Sequence, residues 1–243
     1  MKPVCLTSGA VFGGTAAIEI RQQKRKEVLL MIRIVCFGIG YLFGLFQTSY
    51  IIGILHGFDI RNYGSGNAGT TNMIRKMGTK WGLITFLGDF LKSFLAACVV
   101  GWLFGGKYAG CILLLRLYAG AGAVVAHDFP FYMNFKGGKG VAASAGMAMG
   151  FRPVLLAFGL AVFLGVAVPT KYVSAGSLAC YAAFFIGTVV MGLTGQFHMT
   201  QALLIETDIL AFLLTALCWW KHRENIVRLM NGTERKTSLF HKK

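Results

Sequence analysis

Long apolar runs, separated by short polar and basic segments, limit the folds open to this chain more than any other feature, because about 20 apolar residues span a bilayer core. The runs cover roughly 28–55, 81–104, 108–132, 141–168, 173–192 and 202–220. None shows the alternation typical of a membrane strand. Backbone groups in lipid must be satisfied within their own segment, which favours helices. The sequence therefore predicts an all-α, polytopic integral membrane protein.

The fourth run is interrupted by Arg152 and Pro153. A charged side chain is costly inside a bilayer, and proline breaks a helix. We therefore expect two short helices here, Val141–Gly150 and Pro153–Val168, which form a hairpin within the membrane. This pair raises the expected total to about seven transmembrane helices.

Seven spans place three polar segments on one side of the membrane: 56–80, 133–140 and the tail 221–243. These segments hold more than half of the 24 Lys and Arg residues. By the positive-inside rule that side is cytoplasmic. The formal net charge of +15 is then explained by anionic lipid and anionic substrates, and not by nucleic acid.

The first 27 residues differ in character from the remainder of the chain. They are basic near their end and contain no motif, and Met31 begins the membrane pattern cleanly. We expect residues 1–27 to be a disordered or mis-assigned extension, with translation starting at either Met1 or Met31. Residues 28–243 are expected to form one transmembrane domain.

The first polar block, residues 61–75, is rich in glycine and in neutral hydrogen-bond donors. Its G-x-G-x-x-G spacing does not indicate a dinucleotide site, because a membrane helix precedes it where that site needs a strand. Glycines expose backbone N–H groups, and an arginine adds a charged fork. A turn-rich loop that caps a helix is the alternative interpretation. The candidate binding residues are Ser65, Gly66, Asn67, Gly69, Thr71, Asn72 and Arg75.

The second block places a histidine, His127, shortly before a loop with two lysines and three glycines. Two ammonium groups beside bare backbone describe a phosphate cradle. The alternatives are a flexible basic loop that only sets membrane orientation, and a histidine satisfied at the interface. The candidate residues of the loop are Lys136, Gly137, Gly138, Lys139 and Gly140.

The third block follows the interface pair Trp219-Trp220. His222 and Asn225 are spaced i, i+3 and therefore share one face of a helix, so both side chains can point into a site. An interfacial helix whose basic face meets lipid headgroups is the alternative.

One charged pair lies inside a span. Asp89 and Lys92 are spaced i, i+3 in the second apolar run. Each needs the other or a site group, because an unpaired charge in lipid is costly. A structural ion pair and a substrate contact are both open.

Four segments together resemble a known family. They are GSGNAGTTNMIRKMG (64–78), GDFLKS (88–93), AHDFPFYMNFKGGKGVAA (126–143) and HRENIVRLMNGTERK (222–236). In order and spacing they are similar to the motifs of the bacterial acyl-phosphate:glycerol-3-phosphate acyltransferases, the PlsY family. The chain departs from that pattern without losing a charged or histidine position, at Thr70, Ser93, Ala126 and Ala143.

The resemblance implies a seven-helix enzyme of the bacterial inner membrane, with its site facing the cytoplasm. Such an enzyme moves a fatty acyl group from acyl phosphate to the 1-hydroxyl of sn-glycerol 3-phosphate, giving lysophosphatidic acid and phosphate. It implies catalytic roles for His127, Lys139, His222 and Asn225, and adds Lys92 and Glu234 to the substrate-binding residues. No cofactor or metal is expected, membrane lipid surrounds the protein, and the enzyme that forms acyl phosphate is a possible hand-over partner.

The residues fit this chemistry independently. An acyl phosphate is already activated, so no covalent enzyme intermediate is required, and the chain has no G-x-S-x-G elbow and no His-x4-Asp pair. Catalysis then rests on positioning and charge stabilisation. The base for the glycerol hydroxyl is left open between the acyl phosphate itself, His127 and His222. The competing hypothesis is a phosphate or anion transporter, although its polar groups would lie at the midplane.

Overall fold

The structure, a computed structural model, describes residues 9–237 of the chain. This range contains ten α-helices and no β-strand, which confirms the all-α prediction. The helices are α1 (Gly9–Gly44), α2 (Thr48–Leu55), α3 (Thr70–Met77), α4 (Thr79–Phe104), α5 (Ile112–Asp128), α6 (Val141–Phe151), α7 (Pro153–Thr170), α8 (Val173–Leu193), α9 (Gln201–Lys221) and α10 (Arg223–Met230).

The chain divides into two compact units, Met1–Val35 and Cys36–Lys243. In the first unit residues 9–35 are helical, and the expectation of a disordered or mis-assigned extension over 1–27 stays a prediction. Good helix formers such as Ala, Glu, Gln, Lys and Arg account for the helix. Residues 1–8 lie outside the described residues, and the choice between Met1 and Met31 as the start stays a prediction.

Six segments of the described range are long and apolar enough to cross a membrane. They are Glu27–Leu55, Thr79–Phe104, Ala109–Met133, Pro153–Thr170, Val173–Leu193 and Gln201–Lys221. The seventh apolar helix, α6, has 11 residues, so at 1.5 Å per residue it reaches only about half of the 30 Å hydrocarbon core. The predicted short pair is thus confirmed, with a membrane-spanning α7 beside a much shorter α6.

The break between α6 and α7 lies at Arg152, as predicted. Its backbone is extended (φ −152°, ψ 107°), and Pro153 occupies the first turn of α7, where its missing N–H costs nothing. The Arg152 guanidinium donates to the Gln196 carbonyl and lies 5.8 Å from the centre of the Phe197 ring. The charge that seemed costly in the sequence therefore has a polar and an aromatic partner.

The first run contains a break that the sequence did not predict. Residues 45–47 separate α1 from α2 and release backbone carbonyls inside the membrane-spanning segment. Tyr132 Oη donates to Leu45 O over 2.5 Å, and Lys92 Nζ donates to Phe46 O over 2.7 Å. Gln47 donates in turn to Ala126 O (3.2 Å) and His127 O (3.1 Å) at the end of α5. The unwound turn therefore ties α4 and α5 together behind His127.

Close helix packing holds the core of the second unit. The buried apolar cluster contains residues of the five helices from α5 through α9, among them Leu117, Met147 and Phe184. On α6, a Cβ added at Gly146 would lie 1.9 Å from Phe90 O of α4. A residue larger than glycine would separate these two helices, as is typical of membrane bundles. This contact fixes the middle of α6 relative to α4.

Candidate active site

A buried ion pair orients His127. Lys92 Nζ lies 3.0 Å from Asp89 Oδ1 and 2.9 Å from His127 Nδ1, and it also donates to Phe46 O. Thr48 Oγ1 donates to Asp89 Oδ1 over 3.2 Å. An ammonium group has three protons, and this site provides three acceptors. Of the two interpretations of the i, i+3 pair, the ion pair is present. We call it the Asp89–Lys92–His127 cluster.

The cluster also assigns the tautomer of His127. Because the Lys92 ammonium can only donate, His127 Nδ1 must accept, and the neutral ring then carries its proton on Nε2. His127 lines the candidate cavity, although its side chain is nearly buried. A Cβ added at Gly138 would lie 2.0 Å from Nε2. Only glycine at this position lets the loop pass directly over the imidazole.

The lysine–glycine loop differs from the predicted cradle. Gly137 N–H donates to Asp128 O (3.2 Å) and Gly138 N–H donates to His127 O (3.0 Å), so neither is free for a phosphate. These two glycines lie outside the cavity lining and serve to seat the loop on His127. The donors that face the cavity begin later, at Gly140 (φ 73°) and the first turn of α6, where backbone N–H groups have no intrahelical partner.

The two lysines of the loop also differ. Lys139 lines the cavity, whereas Lys136 is exposed and does not. Lys139 Nζ donates to Asn225 Oδ1, and Asn225 Nδ2 donates to Glu234 Oε1 over 2.7 Å. Glu234 also accepts from Arg228 Nε (2.8 Å) and from Ser174 Oγ (3.0 Å). This Lys139–Asn225–Glu234 network joins the second and third polar blocks.

The electrostatics of the network follow from partial burial. Burial, and then the nearby Arg228, lowers the pKa of Lys139 to about 8. Burial opposes ionisation of Glu234, but hydrogen bonds from Asn225, Arg228 and Ser174 together hold its pKa below the usual value. Lys139 is thus a cation near neutral pH that loses its proton more readily than an exposed lysine.

His222 lies between α9 and α10 and presents one nitrogen to the cavity. Its Nδ1 donates to Cys218 O over 2.8 Å, since a carbonyl can only accept. Nε2 of the neutral ring is therefore an unprotonated acceptor. Burial, and then Lys139, lowers the pKa of His222 to about 4, so the ring is neutral near pH 7. His127 and His222 thus have opposite tautomers, one presenting a donor and the other an acceptor.

The first polar block contributes its glycine-rich loop and the start of α3. Asn72 is fully occupied in holding this loop: Oδ1 accepts from Ser65 N–H (3.0 Å), and Nδ2 donates to the carbonyls of Ile60 (3.1 Å) and Tyr63 (2.9 Å). Asn72 also lines the cavity, and its predicted contact with substrate stays a prediction. Gly66 N–H likewise donates to Tyr63 O (2.9 Å), and Gly66 does not line the cavity.

Arg75 closes the far side of the site. Its Nη2 donates to Thr237 Oγ1 over 2.5 Å, while Thr237 N–H donates to Lys171 O over 2.9 Å. Burial, and then the neighbouring Arg235, lowers the pKa of Arg75, which still stays cationic. The segment that ends at Thr237 therefore crosses between α3 and the start of α8.

These elements enclose a polar cavity of about 310 Å³. Residues of all three polar blocks line it, so the structure brings together segments that the sequence only suggested would meet. Twelve of the 17 candidate residues line it: Ser65, Asn67, Gly69, Thr71, Asn72, Arg75, His127, Lys139, Gly140, His222, Asn225 and Glu234. Gly66, Lys92, Lys136, Gly137 and Gly138 lie outside the lining.

Some residues that line the polar cavity were not among the candidates predicted from the sequence. Ser174 and Ser177 of α8 line the cavity, as do Arg228 and Arg235 of the third block. The two serines are spaced i, i+3 in an apolar run, and that pattern was the available signal. The side chain of Arg228 turns to Glu234 instead of to lipid headgroups. Among the described residues, no three His, Cys, Asp or Glu side chains lie close enough together to hold a metal ion.

A second, apolar cavity of about 340 Å³ adjoins the first. Phe86, Val141 and Phe163 line both cavities, so the two are direct neighbours. The apolar one runs between α4, α6, α7 and α8. Its two hydroxyl groups, on Ser144 and Tyr181, hydrogen-bond to each other. A polar cavity directly beside an apolar groove suits a ligand with a charged head and a hydrocarbon tail.

A family profile described as glycerol-3-phosphate acyltransferase matches residues 34–232. A glycerol-3-phosphate acyltransferase of Clostridioides difficile (strain 630) is 42% identical over 203 residues, covering 82% of this chain and 92% of its own. The enzyme of Salinibacter ruber (strain DSM 13855 / M31) is 36% identical over 224 residues, with 87% and 93% covered.

Two crystal structures of PlsY (YgiH), an integral membrane glycerol 3-phosphate acyltransferase, have the same architecture. The glycerol 3-phosphate form superposes with a TM-score of 0.71 at 31% identity, covering 84% of this chain and 95% of that one. The lysophosphatidic acid form gives a TM-score of 0.70 at 30% identity, with 85% and 96% covered. The similarity therefore extends over nearly the whole length of these relatives.

Proposed function

Because this chain belongs to the family of glycerol-3-phosphate acyltransferases, we propose that it transfers a fatty acyl group from acyl phosphate to the 1-hydroxyl of sn-glycerol 3-phosphate. The products are 1-acylglycerol 3-phosphate and inorganic phosphate. The observation that carries the proposal is that a cationic polar cavity lies directly beside an apolar groove, with Phe86, Val141 and Phe163 lining both.

Two phosphate groups must lie close together in this reaction. Lys139, Arg75, Arg228 and Arg235 line the polar cavity and supply the positive field. The N-termini of α3 and α6 border the same cavity, and unpaired N–H groups at a helix start favour an anion. A charged hydrogen bond to phosphate contributes about 1.5–3 kcal/mol, so a few such contacts suffice for binding.

The two histidines are suited to different tasks. His127 carries its proton on Nε2, which lies against Gly138, and its Nδ1 is occupied by Lys92. His222 presents unprotonated Nε2 and accepts from the glycerol hydroxyl. Of the three bases left open by the sequence, His127 is therefore the least suited. With a pKa near 4, His222 orients the hydroxyl, and the departing phosphate is the better proton acceptor.

The chemical step is a direct acyl transfer. The glycerol oxygen attacks the acyl carbon, a new C–O ester bond forms, and the bond from the acyl carbon to the phosphate oxygen breaks. The electron pair leaves with phosphate, which takes the hydroxyl proton. Lys139 and the α6 N-terminus stabilise the negative charge that develops, and Asn225 holds Lys139 in place. The acyl chain lies in the apolar groove, so only the head of the donor reaches the polar cavity.

Orientation follows from the same arrangement. We place the polar cavity at the cytoplasmic face of a bacterial inner membrane, where a water-soluble glycerol phosphate is available and the basic loops are favoured. Thiol labelling of Asn67→Cys and Gly232→Cys tests this placement. Both are expected to react only after the cells are opened, and labelling of either one in intact cells would contradict it.

The experiment for the activity uses purified protein and radiolabelled glycerol 3-phosphate. Acyl phosphate, an acyl-carrier-protein thioester and a coenzyme A thioester are offered in turn. We expect labelled lysophosphatidic acid and an equal amount of phosphate with acyl phosphate alone, and little product from Lys139→Ala. Product from a thioester alone would overturn the donor assignment. Phosphate uptake into vesicles without product would favour the transporter alternative.

A further inference from the structure

The apolar groove is lined by small side chains along its middle and closes against the buried core. Its middle layer is lined by small side chains, at Ala145 of α6, Gly159 of α7 and Cys180 of α8. Its far end is formed by Met147, Leu155 and Phe184, which belong to the buried core. A chain that enters from the polar cavity therefore passes the small residues first and meets the core afterwards.

Gly159 is the glycine that lines this groove, and helix packing does not require it. On α8, a Cβ at Gly176 would lie 2.8 Å from the Ala167 Cβ, and one at Gly187 would lie 2.8 Å from Leu155 Cδ2. These two glycines let α7 and α8 approach. A Cβ at Gly159 would meet only Cys180 O, at 3.8 Å, which is an ordinary contact. Glycine is unfavourable within a helix, so what it provides here is free space in the groove.

The position of Gly159 along α7 sets where that space matters. Phe163 borders both cavities, and Gly159 lies four residues, about 6 Å, further into the groove. Leu155 lies a further turn away, at the closed end. Gly159 is therefore at the point where the first few carbons of an acyl chain have entered and the rest must still pass.

We propose that Gly159 is a specificity-determining residue that admits long unbranched acyl chains. The inference rests on the proposed function and names the residue that selects among its donors. The occupant is the donor's own acyl chain, because the groove lies directly beside the polar cavity, with Phe86, Val141 and Phe163 lining both. Beyond Gly159 a long chain turns out of the groove over Leu160, which is half exposed, toward the bilayer. Chains too short to reach Gly159 are unaffected by a larger residue there.

The test compares Gly159→Leu with Gly165→Leu. Gly165 is on the same helix, a Cβ there meets nothing within 4 Å, and it lines neither cavity, so it controls for helix propensity and added bulk. Values of kcat/KM are measured for palmitoyl phosphate and butyryl phosphate with the full-length protein. We expect the palmitoyl-to-butyryl ratio to fall by about tenfold or more in Gly159→Leu and to stay within about twofold in Gly165→Leu. KM for glycerol 3-phosphate should be unchanged in both.

The possible outcomes distinguish failure of the Gly159 proposal from failure of the proposed acyl transfer. A wild-type ratio in Gly159→Leu overturns the inference while leaving the acyl transfer intact. An equal fall in both variants also overturns it, because the groove would then hold a bulk lipid tail or respond only to helix bulk. No product from the wild type with any acyl phosphate sinks the proposed function itself. If Gly159→Leu does not fold, Gly159→Ala replaces it, and a smaller fall in the same ratio is expected; an unchanged ratio overturns the inference.

Discussion

The Asp89–Lys92–His127 cluster and the Lys139–Asn225–Glu234 network both contain a lysine near an acidic residue, but they use it differently. Lys92 donates to Asp89, Phe46 and His127 and does not line the cavity. Lys139 lines the cavity, and its one hydrogen bond among the described residues is to Asn225. A lysine whose protons are all used inside the protein orients its neighbours. A lysine with protons to spare can meet an anion.

The largest effect on stability is expected from a substitution of the buried lysine, Lys92. Lys92→Ala leaves Asp89 as an uncompensated charge within the membrane segment and removes the donor that fixes the His127 tautomer. Removing one partner of a buried pair costs about 3–5 kcal/mol. We expect a large fall in thermal stability in detergent, together with loss of activity. Lys107→Ala, at an exposed lysine, is the matched control; equal stability of the two variants would break the comparison.

Lys139→Ala should show the opposite pattern, a large loss of activity with little loss of stability. It removes one charged hydrogen bond to phosphate, about 1.5–3 kcal/mol, which corresponds to roughly ten- to a hundredfold in rate. Membrane insertion and thermal midpoint should stay close to the wild type. Wild-type turnover in this variant would show that the cavity does not bind phosphate through Lys139.

The same comparison can be made in the tail, between side chains that line the cavity and one that does not. His222 and Asn225 line the cavity, whereas Arg223 is exposed and its guanidinium lies over the Trp220 ring. His222→Ala and Asn225→Ala should therefore lower turnover about tenfold, and Arg223→Ala much less. Steady-state kinetics on the three variants decide this. An equally small loss in all three would mean that the tail only anchors the protein at the membrane surface.

The pH dependence of activity should report the titration of Lys139. Burial, and then Arg228, lowers the pKa of Lys139 to about 8, so its charge is lost as pH rises through 8. Activity should fall with it, and Lys139→Arg, which stays charged, should shift this alkaline limb upward. Folding stability changes in the opposite direction, because between pH 8 and the unfolded value the unfolded chain binds more protons. An unshifted limb in Lys139→Arg would assign the titration to another group.

The smallest effect is expected from Lys136→Ala. Both lysines of the loop are candidates from the sequence, but Lys136 is exposed and lies outside the cavity lining. Its charge acts through water, where an interaction is worth about 1 kcal/mol or less. We expect a loss smaller than that of Lys139→Ala and more sensitive to salt. A loss equal to that of Lys139→Ala, measured at the same ionic strength, would place both ammonium groups on the substrate.

Local patterns predicted much of the fold and of the site. The apolar runs indicated the membrane helices, and Arg152-Pro153 indicated the break between α6 and α7, because a buried charge and a missing N–H act within a single turn. The i, i+3 spacing of His222 and Asn225 likewise placed both at the cavity. The break at residues 45–47 was not predicted, because its released carbonyls are stabilised by Lys92 and Tyr132, which are distant in the chain.

By itself, the sequence determined that this chain is a helical membrane protein with three polar blocks of donors and cations, since periodicity and charge are properties of neighbouring residues. The tertiary structure alone decided which donors are free. The N–H groups of Gly137 and Gly138 donate to carbonyls at the end of α5, and the Asn72 amide donates to carbonyls of its own loop. The groove beside Gly159 likewise depends on the tertiary structure, because it forms only where α4, α6, α7 and α8 meet. A hydrogen bond or a void depends on which distant segment lies opposite, and packing settles that.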